Sequence, residues 1–477
     1  MSSAALMAAA APAEAGKWTI DPFVGLEQQF TDNARSLKEP GEMDTITTLD
    51  AGINVRGHGA RVNLNLDYRM SRDTYWDNSD LNGNRQNLLT QGDVELWENI
   101  LFLDARAAMS DVTVSQSGAV TATDRTATSN RTRTLNASIA PTVRHHLGSW
   151  ADTEFVYRLN EIRFFQSDAG DTDAGVPNSR IHELRSAVTS GDRFQRLHWQ
   201  LNASTTINYS ANEFRSRRDR MTASADYDIS RHVSVIGTVG NDKVRDKTDS
   251  SDSNSGTSWS AGVELRPNQR GRLRVEYGRR FNTDSITGNL EYKFSQAINL
   301  SAAYTIDVTT QQEALANSLN NIVFDPLTGQ FVDQTTGLPV DPNNLGTDLV
   351  DATLKTQRFS LGLNGTRGRN SFSVGADMTK RDIGTTGGRD QTTSLQATLA
   401  RRLTPKTNGS VNGAYVRNTQ SGGSDTQEQT IRAGANLDYN FSTSFTGSMN
   451  YRHLRRISSA GNGLTENVVS VRFRKNF

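Results

Sequence analysis

The chain has 477 residues, of which 35% are hydrophobic, and it contains no cysteine. The 52 Lys and Arg residues balance the 52 Asp and Glu residues, so bulk charge suggests no nucleic-acid partner. Without cysteine there is no disulfide framework, thiolate metal site or cysteine nucleophile. The mean hydropathy of -0.59 would fit a weakly packed chain, but here polar and apolar residues alternate. A strand between lipid and a wet interior needs only every second residue to be apolar.

The start of the chain resembles the second half of a signal peptide. A small apolar run ends in Ala13-Glu14-Ala15, which is typical of a cleavage site before Gly16, although no basic segment precedes it. We therefore expect residues 1–15 to be a signal-peptide remnant and residues 16–477 to form the exported protein. No apolar run reaches 18 residues, which excludes a transmembrane helix.

Period-two segments bounded by turn residues follow one another along the whole chain. In residues 60–72, Val62, Leu64 and Leu66 share one face, while Asp67 and Arg69 lie on the other. The pattern predicts an all-β fold, a single closed antiparallel transmembrane barrel of about 22 strands, with 18 to 24 acceptable. The predicted lumen-lining residues are Asp67, Arg69, Asp104, Arg106, Arg272, Arg274, Glu276, Arg432 and Asp438.

Short connections alternate with longer polar ones, which is typical of outer-membrane barrels with short periplasmic turns and long external loops. Both termini then lie on the periplasmic side, which requires an even number of strands. A soluble sandwich or propeller is the alternative, but neither fold would require short and long connections to alternate. The location that follows is the outer membrane of a Gram-negative bacterium.

The last strand ends in Phe477. Val469, Val471 and Phe473 share a face with it, and Ser470 lies on the opposite face. A terminal Phe on such a strand resembles the signal that the barrel-insertion machinery of Gram-negative bacteria reads. We therefore predict that Phe477 acts in assembly.

The connection over residues 311–350 contains no Lys or Arg and carries five acidic residues and an eight-residue internal repeat. A connection of this length is usually functional or disordered. It could fold into the lumen, cap the outer mouth or be a mobile surface loop. Its acidic residues do not have the spacing of a calcium loop, so no metal is predicted.

Catalytic signatures are missing from the sequence. It contains no G-x-S-x-G, H-E-x-x-H, Walker-type or dinucleotide-binding motif, and none of the seven histidines stands out. We therefore expect neither enzymatic activity nor a cofactor.

Five segments in the first third of the chain have a more distinctive sequence. They are residues 31–33, 44–47, 57–69, 77–82 and 95–107. In this order the segments resemble the outer-membrane barrel family associated with PEP-CTERM/exosortase systems, most strongly over residues 18–110. The resemblance implies a barrel linked to exopolysaccharide or envelope assembly, without catalytic residues to transfer.

Three functions follow as hypotheses. The first is a conduit for exopolysaccharide export, whose partners would be a glycan polymer and a periplasmic polysaccharide-export protein, besides outer-membrane lipids and the insertion machinery. The second is a general or small-solute diffusion porin. The third is a structural or docking barrel of an envelope assembly.

Overall fold

Consecutive strands pair antiparallel around a closed β-barrel in the computed structural model of the chain. The structure describes residues 16–37, 41–114, 120–128, 130–165, 177–211, 213–247, 254–325, 330–334, 353–383, 388–421, 426–459, 461 and 463–477. The predicted signal-peptide remnant, residues 1–15, lies outside the described residues.

The barrel contains 22 strands, as the alternation predicted. In chain order they are β1 Lys17–Thr31, β2 Asp44–His58, β3 Val62–Tyr75, β4 Gly83–Trp97, β5 Leu101–Thr113, β6 Arg131–Leu147, β7 Ala151–Phe165, β8 Ser179–Ser190, β9 Leu197–Ser210, β10 Glu213–Ser230, β11 Val233–Asp246, β12 Gly256–Asn268, β13 Gly271–Arg280, β14 Thr283–Ser295, β15 Ile298–Thr310, β18 Thr353–Arg367, β19 Asn370–Ile383, β20 Arg389–Thr404, β21 Thr407–Ser421, β22 Thr426–Asn440, β23 Phe445–Ser458 and β24 Leu464–Asn476.

Three further elements lie in the long connection between β15 and β18. They are helix α1 Gln311–Asn320 and the hairpin of β16 Ile322–Asp325 with β17 Gln330–Asp333. A short 3-10 turn, Ser79–Leu81, follows β3.

The first and last strands close the barrel. β1 pairs antiparallel with β24 from Phe23 opposite Asn476 to Thr31 opposite Val468. Because every strand then has two neighbours, no sheet edge runs the full height of the membrane, where unpaired backbone groups would be costly.

The two ends of the barrel differ in their connections. At the end that holds both termini the connections contain two to six residues, whereas the longest connection at the other end spans 42 residues, 311–352. The end with the termini is therefore the periplasmic one.

Side chains alternate between a lipid-facing outer surface and the lumen. Tyr277, Tyr439 and Tyr451 are exposed on the outer surface, as aromatic girdles require. On the lumen side, Thr48 and Asp50 are fully buried, which indicates that protein fills part of the interior. No helix in the described part of the chain has the length and apolar composition that crossing a bilayer requires.

Candidate functional site

Residues 120–128, here called the inner loop, lie inside the barrel against β24 and β1 to β4. Arg125 holds this segment to the wall, with its Nη2 2.7 Å from Oε2 of Glu27 and its Nε 3.1 Å from Oγ1 of Thr48. The side chains of Arg125 and Glu27 are only 6% and 5% exposed. The pair is therefore a buried ion pair between a loop and the lumen wall.

A second charged contact lies beside the first. Arg85 on β4 forms ion pairs with Asp73 on the neighbouring strand and with Asp124 of the inner loop. Burial opposes ionisation of Asp124, but the charges of Arg85 and Arg125 outweigh it and hold the pKa of this carboxyl well below its usual range. Asp124 is therefore an anion while the inner loop is docked.

The last strand holds the other side of the inner loop. Oε2 of Glu466 accepts a hydrogen bond of 2.7 Å from the backbone N–H of Ala122, and Oε1 accepts one from the hydroxyl of Thr126. Gln29 donates to the hydroxyl of Thr123 at 3.3 Å. The inner loop thus joins the first and last strands of the chain from inside.

Helix α1 is the second segment inside the barrel. It begins with a capping box, in which Thr310 accepts from the N–H of Glu313 at 3.2 Å and Glu313 accepts from the N–H of Thr310 at 3.4 Å. Its buried apolar side chains are Leu315, Ala316 and Leu319. These side chains pack on apolar lumen-facing residues of β4 to β8, namely Leu89, Ala108, Val112, Ile162 and Ile181.

Polar contacts fix both ends of α1. Nη1 of Arg106 donates to the carbonyls of Asn320 at 2.7 Å and Ile322 at 3.0 Å, where the helix dipole favours a cation. At the other end, Arg218 lies 3.4 Å from the carboxylate of Glu313. Burial raises the pKa of Glu313, and the charge of Arg218 opposes this shift.

The wall itself leans inward on the extracellular side. Pairing of β14 with β15 stops at Gly288 and Tyr304, whereas β15 continues with β18 up to Thr310. Carbonyls on the released edge of β15 accept from arginine side chains instead, that of Ile306 from Arg280 at 3.1 Å. The carbonyl of Val308 accepts from Arg218. The lumen is therefore narrowed from three sides, by the inner loop, by α1 and by this wall.

A polar cavity of about 760 Å³ lies beside the inner loop and is here called the basic cavity. Six arginines and three carboxylates contribute to its lining, so positive charge prevails. They are Arg69, Arg125, Arg131, Arg432, Arg452 and Arg472, with Glu27, Asp124 and Asp438. Among the described residues, neither Arg69 nor Arg452 has an ion-pair partner. Arg452 is exposed and can meet an anionic solute, and Arg69 is partly exposed, although the charges of Asp50 and Asp124 already act on it.

The predicted lumen residues fall into three groups. Arg69, Arg432 and Asp438 line the basic cavity. Arg106 holds α1 and also pairs with Asp104 at 2.9 Å.

The remaining predicted residues lie in ion pairs along the lumen-facing register of the strands. Asp67 pairs with Arg56 at 2.6 Å. On β13, Arg274 pairs with Glu276 at 2.7 Å, and Arg272 pairs with Glu264 on β12 at 2.9 Å. The structure therefore does not bring all of the predicted residues into one site.

Within the long connection, α1 and Ile322 pack on lumen-facing residues, while residues 326–329 and 335–352 lie outside the described residues. The sequence suggested the lumen as one of three places for the long connection, but it did not predict the inner loop. The motif Thr310-Gln311-Gln312-Glu313 was the available signal for α1. No comparable motif marks Arg125. In the described residues, no group of three or more His, Cys, Asp and Glu side chains is placed to hold a metal.

A closed 22-stranded antiparallel barrel with a polar, partly filled lumen defines an outer-membrane β-barrel. Residues 9–153 match the profile of a family described as "Putative beta-barrel porin 2". This match is confined to the first third of the chain. The protein lies in the bacterial outer membrane. None of the curated proteins matches the chain.

Three solved structures with a similar fold are two receptors and one iron transporter. The siderophore receptor PirA from Acinetobacter baumannii is 9% identical, with a TM-score of 0.51, and the match covers 97% of this chain and 81% of PirA. The FrpB iron transporter from Neisseria meningitidis, in its apoprotein form, is 11% identical, with a TM-score of 0.51 and 96% and 81% coverage. A mutant of the ferric enterobactin receptor PfeA from Pseudomonas aeruginosa is 9% identical, with a TM-score of 0.50 and 96% and 80% coverage. At these identities the likeness concerns the fold alone.

Proposed function

We propose that the protein is a gated outer-membrane conduit for an anionic exopolysaccharide. The observation that carries the proposal is the basic cavity, in which arginines outnumber carboxylates and two of them, Arg69 and Arg452, lack ion-pair partners among the described residues. A chain of acidic sugars could exchange contacts along the lumen without a deep trap, because many weak sites favour passage over retention. The inner loop and α1 act as the gate.

The proposal includes the link to exosortase-type systems, which rests on the sequence resemblance. It also includes a periplasmic polysaccharide-export protein as partner, because a passive lumen cannot supply the driving force for export. Folding of the barrel would involve the insertion machinery. No catalytic step is part of this function.

The second candidate is a diffusion porin for small anionic solutes, and the porin family profile favours it. It shares the basic cavity with the first candidate but needs neither a polymer nor a periplasmic partner.

An electrical assay tests the role of the basic cavity in either candidate. In planar bilayers, an acidic oligosaccharide such as oligogalacturonate should reduce the ion current, and a neutral oligosaccharide of equal length should not. Replacing Arg69 and Arg452 by alanine should remove most of this block. Arg272→Ala is the matched control, because Arg272 is a luminal cation that lies outside the basic cavity.

A cellular assay separates the two candidates. Loss of the whole protein should abolish surface exopolysaccharide and leave growth on small nutrients unchanged. If the mutant secretes normal polymer but loses uptake of a small anion, the conduit function is wrong and the porin function replaces it. Equal block by acidic and neutral sugars would refute the role of the basic cavity in both.

A further inference from the structure

The outer surface of β9 to β12 carries an apolar groove with a volume of about 660 Å³. Trp199 and Leu201 line it on one side, and Val239 and Trp259 on the other. Gly237 lies between them, and a side-chain carbon added there would meet no atom within 4 Å. The outer surface therefore has a depression, instead of the even layer of side chains that lipid would otherwise meet.

A basic cluster lies on the same outer surface, closer to the extracellular end. It consists of Arg217 on β10 with Lys243 and Arg245 on β11, and Arg217 is directly opposite Arg245. Like charges directly opposite each other destabilise a sheet, so such a pair is costly without an anion. Asp219 is 3.0 Å from Arg217 and lies directly opposite Lys243, so the cluster holds three cations and one carboxylate. Lys243 and Arg245 are exposed and form no ion pair among the described residues.

The groove and the cluster are aligned along the strands. Ala223, at the groove, pairs with Val239, and Asp219 lies four residues nearer the extracellular start of β10. Four residues span about 13 Å along a strand. A ligand that places its apolar part in the groove can therefore place an anionic head group at the cluster.

We propose that this surface binds a phosphorylated, acylated glycolipid of the outer leaflet, with a phosphate at Lys243 and Arg245 and an acyl chain in the groove. The position of the cluster towards the extracellular end favours the outer leaflet. Three cations beside one carboxylate leave two positive charges in excess. This excess fits the charge of a phosphate monoester, which exceeds that of an ordinary phosphodiester head group. The site lies outside the lumen and is independent of the transport function.

Binding of lipid A to the full-length, delipidated protein tests the proposal, with native mass spectrometry as the readout. Lys243→Ala with Arg245→Ala should weaken binding roughly tenfold to thirtyfold, as expected for the loss of two interfacial cations. Gly237→Leu should also weaken it, because the new side chain fills the groove. Lipid A that lacks one phosphate should bind the wild-type protein less tightly and show a smaller effect of the double substitution.

The matched control removes two basic residues near the periplasmic end, by Arg401→Ala with Lys406→Ala, and should leave binding unchanged. Arg401 is exposed and lies on the lipid-facing register of β20. Heat-modifiable migration would verify that each variant is folded, and Gly237→Leu provides a test that leaves the charges intact. Unchanged affinity in the Lys243 and Arg245 variant, or equal affinity for lipid A and phosphatidylethanolamine, would overturn the proposal.

Discussion

Replacing Arg125 by methionine should release the inner loop from the lumen wall. Methionine keeps much of the side-chain length but removes the ion pair with Glu27 and the hydrogen bond to Thr48. While the loop stays docked, the buried carboxylate of Glu27 would lose its closest partner and keep only Arg472, whose Nε lies 3.9 Å away. Undocking lets water reach this carboxylate, so the substitution favours the open arrangement.

The magnitude follows from the burial of the pair. Both side chains are about one-twentieth exposed, and removing one partner of a buried ion pair costs about 3–5 kcal/mol. Arg472 offsets part of this cost, so it is an upper value. Since 1.4 kcal/mol corresponds to a factor of ten, the ratio of docked to undocked loop should fall by at most roughly two to three and a half orders of magnitude. A loop that is docked most of the time would then be undocked for a large part of the time.

Single-channel recording in planar bilayers measures this change as a higher mean conductance. Arg272→Met is the control, because it removes a luminal cation that does not touch the inner loop. Because the chain has no cysteine, a cysteine pair at Gln29 and Thr123, which are hydrogen-bonded neighbours, can test the same motion. A short bifunctional thiol reagent spans the gap that the shorter cysteine side chains leave, and crosslinking should restore low conductance in the methionine variant. If Arg125→Met conducts like the wild type and like Arg272→Met, the inner loop is not a gate.

Further predictions concern α1, pH and assembly. Replacing Leu315 and Leu319 by asparagine should undock α1 and raise conductance, since each substitution removes a buried apolar side chain at a cost of about 2–5 kcal/mol; wild-type conductance would show that α1 does not obstruct the lumen. Because burial raises the pKa of Glu313, docking of α1 should be strongest in acid and weaken as pH rises through that raised value, and Glu313→Gln should abolish this trend in channel recordings. The opposite holds for Asp124, whose lowered pKa keeps its contribution intact above the usual carboxyl range, so the cysteine-pair assay should show pH-independent loop docking from neutral pH down to that range. Deleting Phe477, which directly follows β24 and is 71% exposed, should lower the heat-modifiable protein in outer membranes far more than deleting one external loop residue, and equal yields would reject a role in insertion.

The barrel could be predicted from the sequence because its determinants are local. The alternation in residues 60–72 fixes which side chains face lipid, and the same parity assigns Asp67 and Arg69 to the lumen register. Strand number and closure follow from repetition of this pattern. The prediction of 22 strands in the outer membrane is confirmed.

The gate could not be predicted in the same way, because its contacts join distant parts of the chain. Arg125 meets Glu27 across 98 residues, and Thr126 meets Glu466 across 340. The polar sequence of the inner loop does not distinguish it from an external loop. Only the start of α1 has a local signature, in its capping box.

Although the chain has zero net charge, its acidic and basic side chains are unevenly distributed. This distribution links gating to selectivity. The connection over residues 311–350 has acidic side chains and no basic ones, and within its described part Glu313 faces Arg218 of the wall. Undocking of α1 or of the inner loop would move the carboxylates of Glu313 or Asp124 away from arginines that remain on the barrel. Opening should therefore make the lumen more basic, and the Leu315 and Leu319 variant should show a reversal potential shifted towards anion selectivity in a salt gradient. A higher conductance with unchanged selectivity would mean that the inward segments obstruct the lumen without neutralising it.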